Sequence, residues 1–130
     1  MKVVFDSNIF VSALVLPGAR AELALEKAVS DDDHLLISKA IIDEVLSVLA
    51  RKFSRDREEL ARTAVFLAEL AEIVAPRRRV SVLADEPDNR ILECAAAGKA
   101  DLIVTGDQAM LRLGEYKGIR IVTLREYLKP

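Results

Sequence analysis

The feature that most constrains the fold is an apolar run near the N-terminus that ends in a carboxylate. Val3, Val4 and Phe5 are bulky residues that favour β-strands, and Asp6 follows them directly. A strand that is apolar on both faces is typical of a parallel sheet covered by helices on both sides. We therefore expect Asp6 at the carboxyl end of a central strand, which is the edge where open α/β sheets bind ligands.

Length and composition narrow the class of protein. A chain of 130 residues predicts one domain, residues 1–130, that buries ~68% of the surface of its unfolded form. Lys and Arg number 19 against 21 Asp and Glu, a net charge of −2, so any nucleic-acid binding must come from local patches or metal ions. Cys94 is the only cysteine, which excludes an intramolecular disulfide and a cysteine zinc cluster and is typical of a reducing cytoplasm. With no signal-peptide pattern and no apolar run near ~20 residues, we expect a cytoplasmic protein without a membrane segment.

Strand and helix patterns alternate along the rest of the chain, which predicts an α/β fold. Ser38 is placed to cap a helix, Pro87 lies in the first helical turn of another, and Thr123 and Glu126 have the spacing of a capping box. Further strands are predicted at 34–37, 73–75, 102–105 and 119–122. Helices are predicted at 9–16, 19–30, 39–52, 56–71, 87–97, 108–113 and from 124 onward.

Four acidic residues are predicted to meet at the carboxyl edge of the sheet. Asp6 and Asp107 follow buried strands, and two helices beginning at that edge carry Glu44 and Asp88. On helical wheels, Glu44 lies about 40° from Val48 and Asp88 about 20° from Ala95, so both border apolar stripes. Converging carboxylates repel each other and lose hydration, a cost that proteins sustain where cations bind. Oxygen ligands alone select Mg²⁺ or Mn²⁺, which predicts metal-assisted hydrolysis of a phosphodiester, although each acid alone is also compatible with a helix cap or a surface charge.

Other acids are excluded from this site by direction or distance. Asp43 points towards water, Glu93 lies about 140° from Asp88 on its helix, and Asp101 stands ~20 Å from Asp107 at the opposite sheet edge. Asp31 to Asp33 is most simply a solvated loop, with a metal site as the alternative.

Basic residues are open to two interpretations. Arg51, Lys52, Arg55 and the run Arg77 to Arg79 are candidate phosphate contacts, and solvated surface charge is the alternative.

Other catalytic chemistries lack the residues that they need. His34 is the sole histidine and begins a strand away from the site, so a histidine-pair ribonuclease is excluded. The sequence has neither a G-x-x-x-x-G-K-[ST] nor a G-x-G-x-x-G loop. Cys94 lies among alanines and is interpreted as a packing residue.

The ordered motifs resemble those of the PIN domain. They are Phe5-Asp6-Ser7-Asn8, then Glu44, then the segment 85–95 (DEPDNRILECA), then Thr105-Gly106-Asp107. The similarity extends over essentially the whole chain and is greatest to bacterial and archaeal PIN proteins grouped as toxins of toxin–antitoxin systems, relatives of the VapC ribonucleases.

The resemblance implies a three-layer α/β/α fold with a parallel sheet in the order 3-2-1-4-5, and an Mg²⁺- or Mn²⁺-dependent endoribonuclease. Asp6, Glu44, Asp88 and Asp107 match the acidic metal-binding quartet. Asn8 and Thr105 match polar neighbours that orient these carboxylates, and Ser7-Asn8 would be the turn that aims Asp6 at the metal. Family members commonly form homodimers, and the toxin members are silenced by a small antitoxin that plugs the active site. The next acid after Asp107 is Glu115, which leaves one or two metal ions open.

Two other classes of protein are alternatives to this interpretation. A PIN-like module that binds RNA or protein without cutting stays open, although retention of all four acids argues against it. A phospho-acceptor receiver domain needs paired acids after the first strand and an aspartate after the third, where this chain has Ser7 and Ala75-Pro76. The sequence does not specify the RNA substrate or whether an antitoxin exists.

Overall fold

A computed structural model describes residues 1–30 and 32–130 of the chain. Thirteen elements follow one another in the described part: β1 Lys2–Phe5, α1 Ser7–Val15, α2 Arg20–Ala28, β2 His34–Ser38, α3 Lys39–Phe53, α4 Arg57–Leu70, β3 Glu72–Val74, α5 Glu86–Ala97, β4 Leu102–Val104, α6 Gln108–Leu113, β5 Glu115–Tyr116, β6 Ile119–Val122 and α7 Leu124–Leu128.

The strands form a six-stranded sheet in the order β3-β2-β1-β4-β6-β5. All neighbours are parallel except β5 and β6. The predicted order 3-2-1-4-5 is confirmed, with β6 as the predicted fifth strand. The unpredicted β5 is a two-residue antiparallel edge strand joined to β6 by Lys117 and Gly118, whose φ angles of 50° and 82° are those of a tight hairpin turn.

The central strands are buried as their sequences predict. Val3, Val4 and Phe5 are fully buried, and the Phe5 ring packs against Phe10 and Tyr127 at centroid distances of 5.4 and 6.0 Å. Helix α5 packs on β1, β2 and β4, while α3 contacts β2, α1 and α5. In the described residues no single helix is long and apolar enough to cross a membrane; only α1 and α2 together, bent by 112°, reach that length and composition.

Helix ends follow local capping chemistry. The Ser38 hydroxyl accepts a hydrogen bond from the Ile41 N–H at 3.3 Å, and capping boxes open α4 (Asp56 with Glu59) and α7 (Thr123 with Glu126). These caps explain why the predicted starts of α3, α4 and α7 agree with the observed ones to within about one residue.

Gly98 ends α5 for a different reason from the usual one. Its backbone is right-handed, so the positive φ typical of a helix-ending glycine is not needed. A Cβ here would lie 2.6 Å from Leu36 Cδ1 and 3.1 Å from Val74 Cγ2. The glycine therefore permits close packing of the helix end against β2 and β3.

The predicted solvated loop 31–33 needs correction at one residue. Asp31 lies outside the described residues, and Asp32 is exposed. The Asp33 side chain, in contrast, is only 9% exposed; its Oδ2 accepts a hydrogen bond from the Tyr127 hydroxyl at 2.6 Å, and its Oδ1 pairs with the Met1 amino group at 3.3 Å. Asp33 therefore ties α7 to the sheet, a contact across 94 residues that local sequence does not predict.

Candidate active site

Asp6 lies at the carboxyl end of β1, as predicted. Its N–H donates to the Val104 carbonyl at 2.9 Å, which continues the pairing with β4, and its side chain is 5% exposed. Burial raises the pKa of Asp6; the Thr105 hydroxyl and the N–H groups of Asn8 and Ser7 oppose that rise, and the Asp107 carboxylate adds to it. The buried carboxylate is thus held by donors that favour its charged form.

Thr105 joins the two central strand ends through one hydroxyl group. Its Oγ1 donates to Asp6 Oδ2 at 2.7 Å and accepts from the Asp107 N–H at 3.0 Å. The residue is fully buried. Asp107 in turn caps α6, because its Oδ2 accepts from the Met110 N–H at 2.9 Å. Thr105 therefore orients the carboxylate of Asp6 and fixes the backbone of Asp107.

Asp88 shows that the acids share one region of the structure. Its side chain is 7% exposed in the first turn of α5. Burial raises the pKa of Asp88 to about 7, with further contributions from the charges of Asp107, Asp6, Asp85 and Glu44. All four acids predicted from the sequence therefore contribute to one local field. Asp85, at the N-cap of α5, is a fifth contributor that the sequence analysis did not select.

Glu44 and Asp43 point as the helical wheel predicts. Glu44 is half-buried and lines a cleft of about 190 Å³ together with Ser7, Ile41, Glu86, Pro87 and Arg90. Asp43 is exposed, and its Oδ2 pairs with Lys39 Nζ at 2.9 Å.

Ser7 and Asn8 differ from their predicted conformation. They form the first residues of α1 rather than a turn, with Asp6 at the N-cap position. Ser7 is buried, whereas Asn8 is exposed and acts on Asp6 through its backbone N–H. An orienting role for the Asn8 side chain stays a prediction.

The prediction that Glu93 faces outward was wrong. Glu93 is 8% exposed, close to the 7% of Asp88. Its Oε2 accepts from the Val80 N–H at 2.7 Å and pairs with Arg90 Nη2 at 2.9 Å, and the same guanidinium donates to the Val80 carbonyl at 3.1 Å. The segment before α5 thus folds back over the helix side that periodicity assigned to solvent. The charge of Glu93 is balanced there by its ion pair with Arg90, and Glu93 does not belong to the acid cluster.

Asn89 anchors the same segment. Its fully buried side chain accepts from the N–H groups of Val82 and Leu83 at 3.1 and 2.8 Å and donates to the Leu83 carbonyl at 2.8 Å. The parts that Asn89, Arg90 and Glu93 play in holding this segment were not predicted; a local signal for them is the i, i+3 spacing of Arg90 and Glu93 on one helix.

The remaining chemical residues lie elsewhere, as predicted. Asp101 accepts from the Lys2 N–H at 2.7 Å at the amino edge of the sheet. His34 begins β2 and contacts Glu72 at 2.7 Å, and Cys94 is fully buried, which raises its pKa to about 12. None of these groups is available to the acid cluster.

The four acids are the type of ligand that a hard divalent cation prefers. In residues 1–30 and 32–130, no basic side chain forms an ion pair with Asp6, Glu44, Asp88 or Asp107. All the donors are carboxylate oxygens, the ligands of Mg²⁺ and Mn²⁺. Over the same range, no three His, Cys, Asp or Glu side chains are gathered as a ready-made metal site. The acids are therefore close enough for their charges to raise the pKa of Asp6 and Asp88, but in the described residues no three of them lie close enough together to form a metal site.

Comparisons with known proteins agree with this fold. The family model described as PIN domain matches residues 2–109, so the chain belongs to the PIN domain family. The uncharacterised protein MJ1680 of Methanocaldococcus jannaschii is 30% identical over 117 residues, 87% of this chain and 75% of that protein.

Two solved structures share the fold at low sequence identity. A chain from VapBC2 of Rickettsia felis, bound to a DNA fragment from the VapBC2 promoter, is 15% identical with a TM-score of 0.68, covering 95% of this chain and 98% of that one. A chain from VapBC-1 of nontypeable Haemophilus influenzae is 15% identical with a TM-score of 0.69, covering 96% and 99%.

Proposed function

We propose that the protein is an endoribonuclease that uses Mg²⁺ or Mn²⁺ to hydrolyse RNA phosphodiester bonds. The observation that carries the proposal is the group of carboxylates around Asp88, whose charges add to burial in raising the pKa of Asp88 and which form no ion pair with a basic side chain in the described residues. Such repulsion is costly unless cations offset it. A divalent cation supplies Lewis acidity and a more acidic water at neutral pH.

Each acid has a distinct part in this proposal. Asp6 and Asp107 would hold the principal ion, and Asp88 and Glu44 would supply its further carboxylate ligands, Glu44 directly or through water. Thr105 fixes the orientation of Asp6 and the backbone of Asp107 through its two hydrogen bonds. A water made more acidic by the ion would be the nucleophile, and no covalent enzyme intermediate would form.

Substitution of Asp6 tests the catalytic assignment. We expect Asp6→Asn to abolish Mn²⁺-dependent cleavage of RNA while the thermal midpoint in chelator stays the same or rises, because a buried charge is lost and Asn can still accept from Thr105. Asp43→Asn, an exposed acid on α3, is the matched control and should cleave normally. Undiminished cleavage by Asp6→Asn would refute the assignment.

A non-catalytic PIN module that binds RNA or protein is the second candidate. The absence of three gathered ligands in the described residues favours it. Thermal titration with Mn²⁺ discriminates, because ligands of the folded state stabilise it by mass action. A rise in midpoint that Asp6→Asn removes supports the enzyme, and a flat titration supports the module.

We also propose a protein partner and a location. The two structural neighbours are named as VapBC assemblies, which supports a small antitoxin as the partner of this chain. A homodimer and a cytoplasmic location are further parts of this proposal, and they rest on the resemblance to the PIN family alone. A small open reading frame with a DNA-binding N-terminus immediately upstream of the gene would support the toxin role.

A further inference from the structure

An arginine-bordered groove lies beside the acid cluster. Its volume is about 460 Å³, and it runs between the N-terminus of α3, the end of β3 and one side of α5. β3 pairs in parallel with β2, so the segment after β3 leaves the sheet at the same edge as Asp6. The lining residues are Ser38, Lys39, Ala40, 73–79, Arg90 and Glu93.

The positive charge of this groove is local and comes from arginines that are not paired with other side chains of the described residues. Arg77, Arg78 and Arg79 are exposed, and within the described residues none of them forms a side-chain hydrogen bond or an ion pair. The acid in the lining, Glu93, is already paired with Arg90. The groove is therefore positive on a chain whose net charge is −2. Such a patch attracts anions locally although the whole protein does not.

The groove adjoins the cleft that contains Glu44. Ala40 and Arg90 line both spaces. A ligand that occupies both must place one phosphate near the carboxylates and further negative charges beside the arginines. A nucleic-acid strand has this repeated charge, whereas an acidic peptide would be repelled where the groove meets the acids. Among the residues that the structure describes, no aromatic side chain lines the groove, so the contacts suit a backbone rather than stacked bases.

We propose that the groove formed by Arg77 to Arg79 binds the phosphate backbone of the RNA strand next to the bond that the acid cluster cleaves. The proposal rests on the nuclease function and specifies where its substrate lies. Because guanidinium groups contact phosphates without reading bases, the groove contributes affinity and not sequence preference.

The test compares two variants with the same change in charge. Arg77→Gln/Arg78→Gln/Arg79→Gln alters the groove, whereas Arg20→Gln/Arg57→Gln/Arg125→Gln alters three exposed arginines that form no ion pair in the described residues. Fluorescence anisotropy measures binding of a labelled single-stranded RNA of roughly 12 nucleotides across a series of KCl concentrations. Ca²⁺ replaces Mg²⁺, RNA integrity is checked by gel electrophoresis, and unchanged thermal midpoints confirm that both variants fold.

We expect the groove variant to bind RNA roughly tenfold or more weakly, and the slope of log affinity against log salt to flatten by about 2. The control variant should stay within about threefold of the wild type. Equal affinities for the two variants, an equal loss in both, or no RNA binding by the wild type would overturn the proposal. So would arginine-dependent binding of a polyglutamate peptide without an effect on RNA.

Different results would refute RNA binding by the groove and the nuclease function. Arginine-dependent RNA binding without Mn²⁺-dependent cleavage by the wild type would retain the groove and refute the nuclease. Cleavage by the wild type with normal RNA affinity in the groove variant would retain the nuclease and refute the groove.

Discussion

Asp88→Asn should stabilise the protein at neutral and alkaline pH in the absence of divalent ions. The side chain is 7% exposed, and its charge is opposed by burial and by four neighbouring carboxylates. Within the described residues it accepts no hydrogen bond that the substitution would break. Asparagine keeps the shape of the side chain and removes the charge, so the repulsion is relieved at little cost in packing.

The magnitude follows from the pKa of Asp88, which is about 7 in the folded chain against an ordinary value of 3.8. At ~1.4 kcal/mol for each unit of pKa, full relief of the charge gives an upper limit of ~4 kcal/mol. Solvent screening reduces such repulsion, so we expect ~2 kcal/mol, or a rise in thermal midpoint of ~7 °C for a chain of this size.

The gain should depend on pH in a defined direction. A carboxyl group whose pKa is higher when folded binds more protons in the folded state, so the free energy of unfolding of the wild type falls as pH rises from about 4 to about 7. The cost of the charge is complete above pH 7 and absent below the ordinary pKa. The advantage of Asp88→Asn should therefore be largest at pH 8 and disappear near pH 4.

Urea unfolding in chelator at pH 4, 6 and 8 measures this difference, with Asp43→Asn as the exposed control that should change stability by less than about 0.5 kcal/mol. Added Mn²⁺ should then stabilise the wild type more than Asp88→Asn, because the variant lacks one ligand. A variant that is less stable at pH 8, or an advantage that does not vary with pH, would refute the reasoning.

Two further substitutions test the contacts around the site. Thr105→Val leaves the Asp107 N–H without its acceptor and should cost ~1–2 kcal/mol in urea unfolding and lower Mn²⁺ affinity ~10–100-fold by calorimetry, whereas Thr105→Ser should retain both; equal effects of the two would contradict the role of the hydroxyl. Asn89→Ala removes the buried partner of Val82 and Leu83 and should cost ~2–3 kcal/mol and speed hydrogen exchange in residues 80–85, and unchanged exchange there would show that another contact holds this segment.

Much of the fold is predictable because its signals are local. A doubly buried strand such as β1 reads as an uninterrupted apolar run, and Ser38 and Thr123 fix helix starts through neighbouring N–H groups. The two-residue strand β5 was missed because it is too short to show a periodicity. The directions of Glu44 and Asp88 also follow from helical periodicity, since each residue borders a stripe that faces the sheet.

What the sequence by itself determined is a parallel α/β sheet with Asp6 and Asp107 at the carboxyl ends of two buried strands, and the structure shows that these strands are neighbours. Only the tertiary structure decided the surroundings of these acids. Helical periodicity indicates which side of a helix faces the sheet, but it contains no information on a segment that folds back over another side. The burial of Glu93 against Val80 and Arg90 could therefore not be predicted from the helix alone. Two further features join residues that are distant in sequence and that only the folded chain brings together. They are the contact of Asp33 with Tyr127 and the groove formed by Arg77 to Arg79.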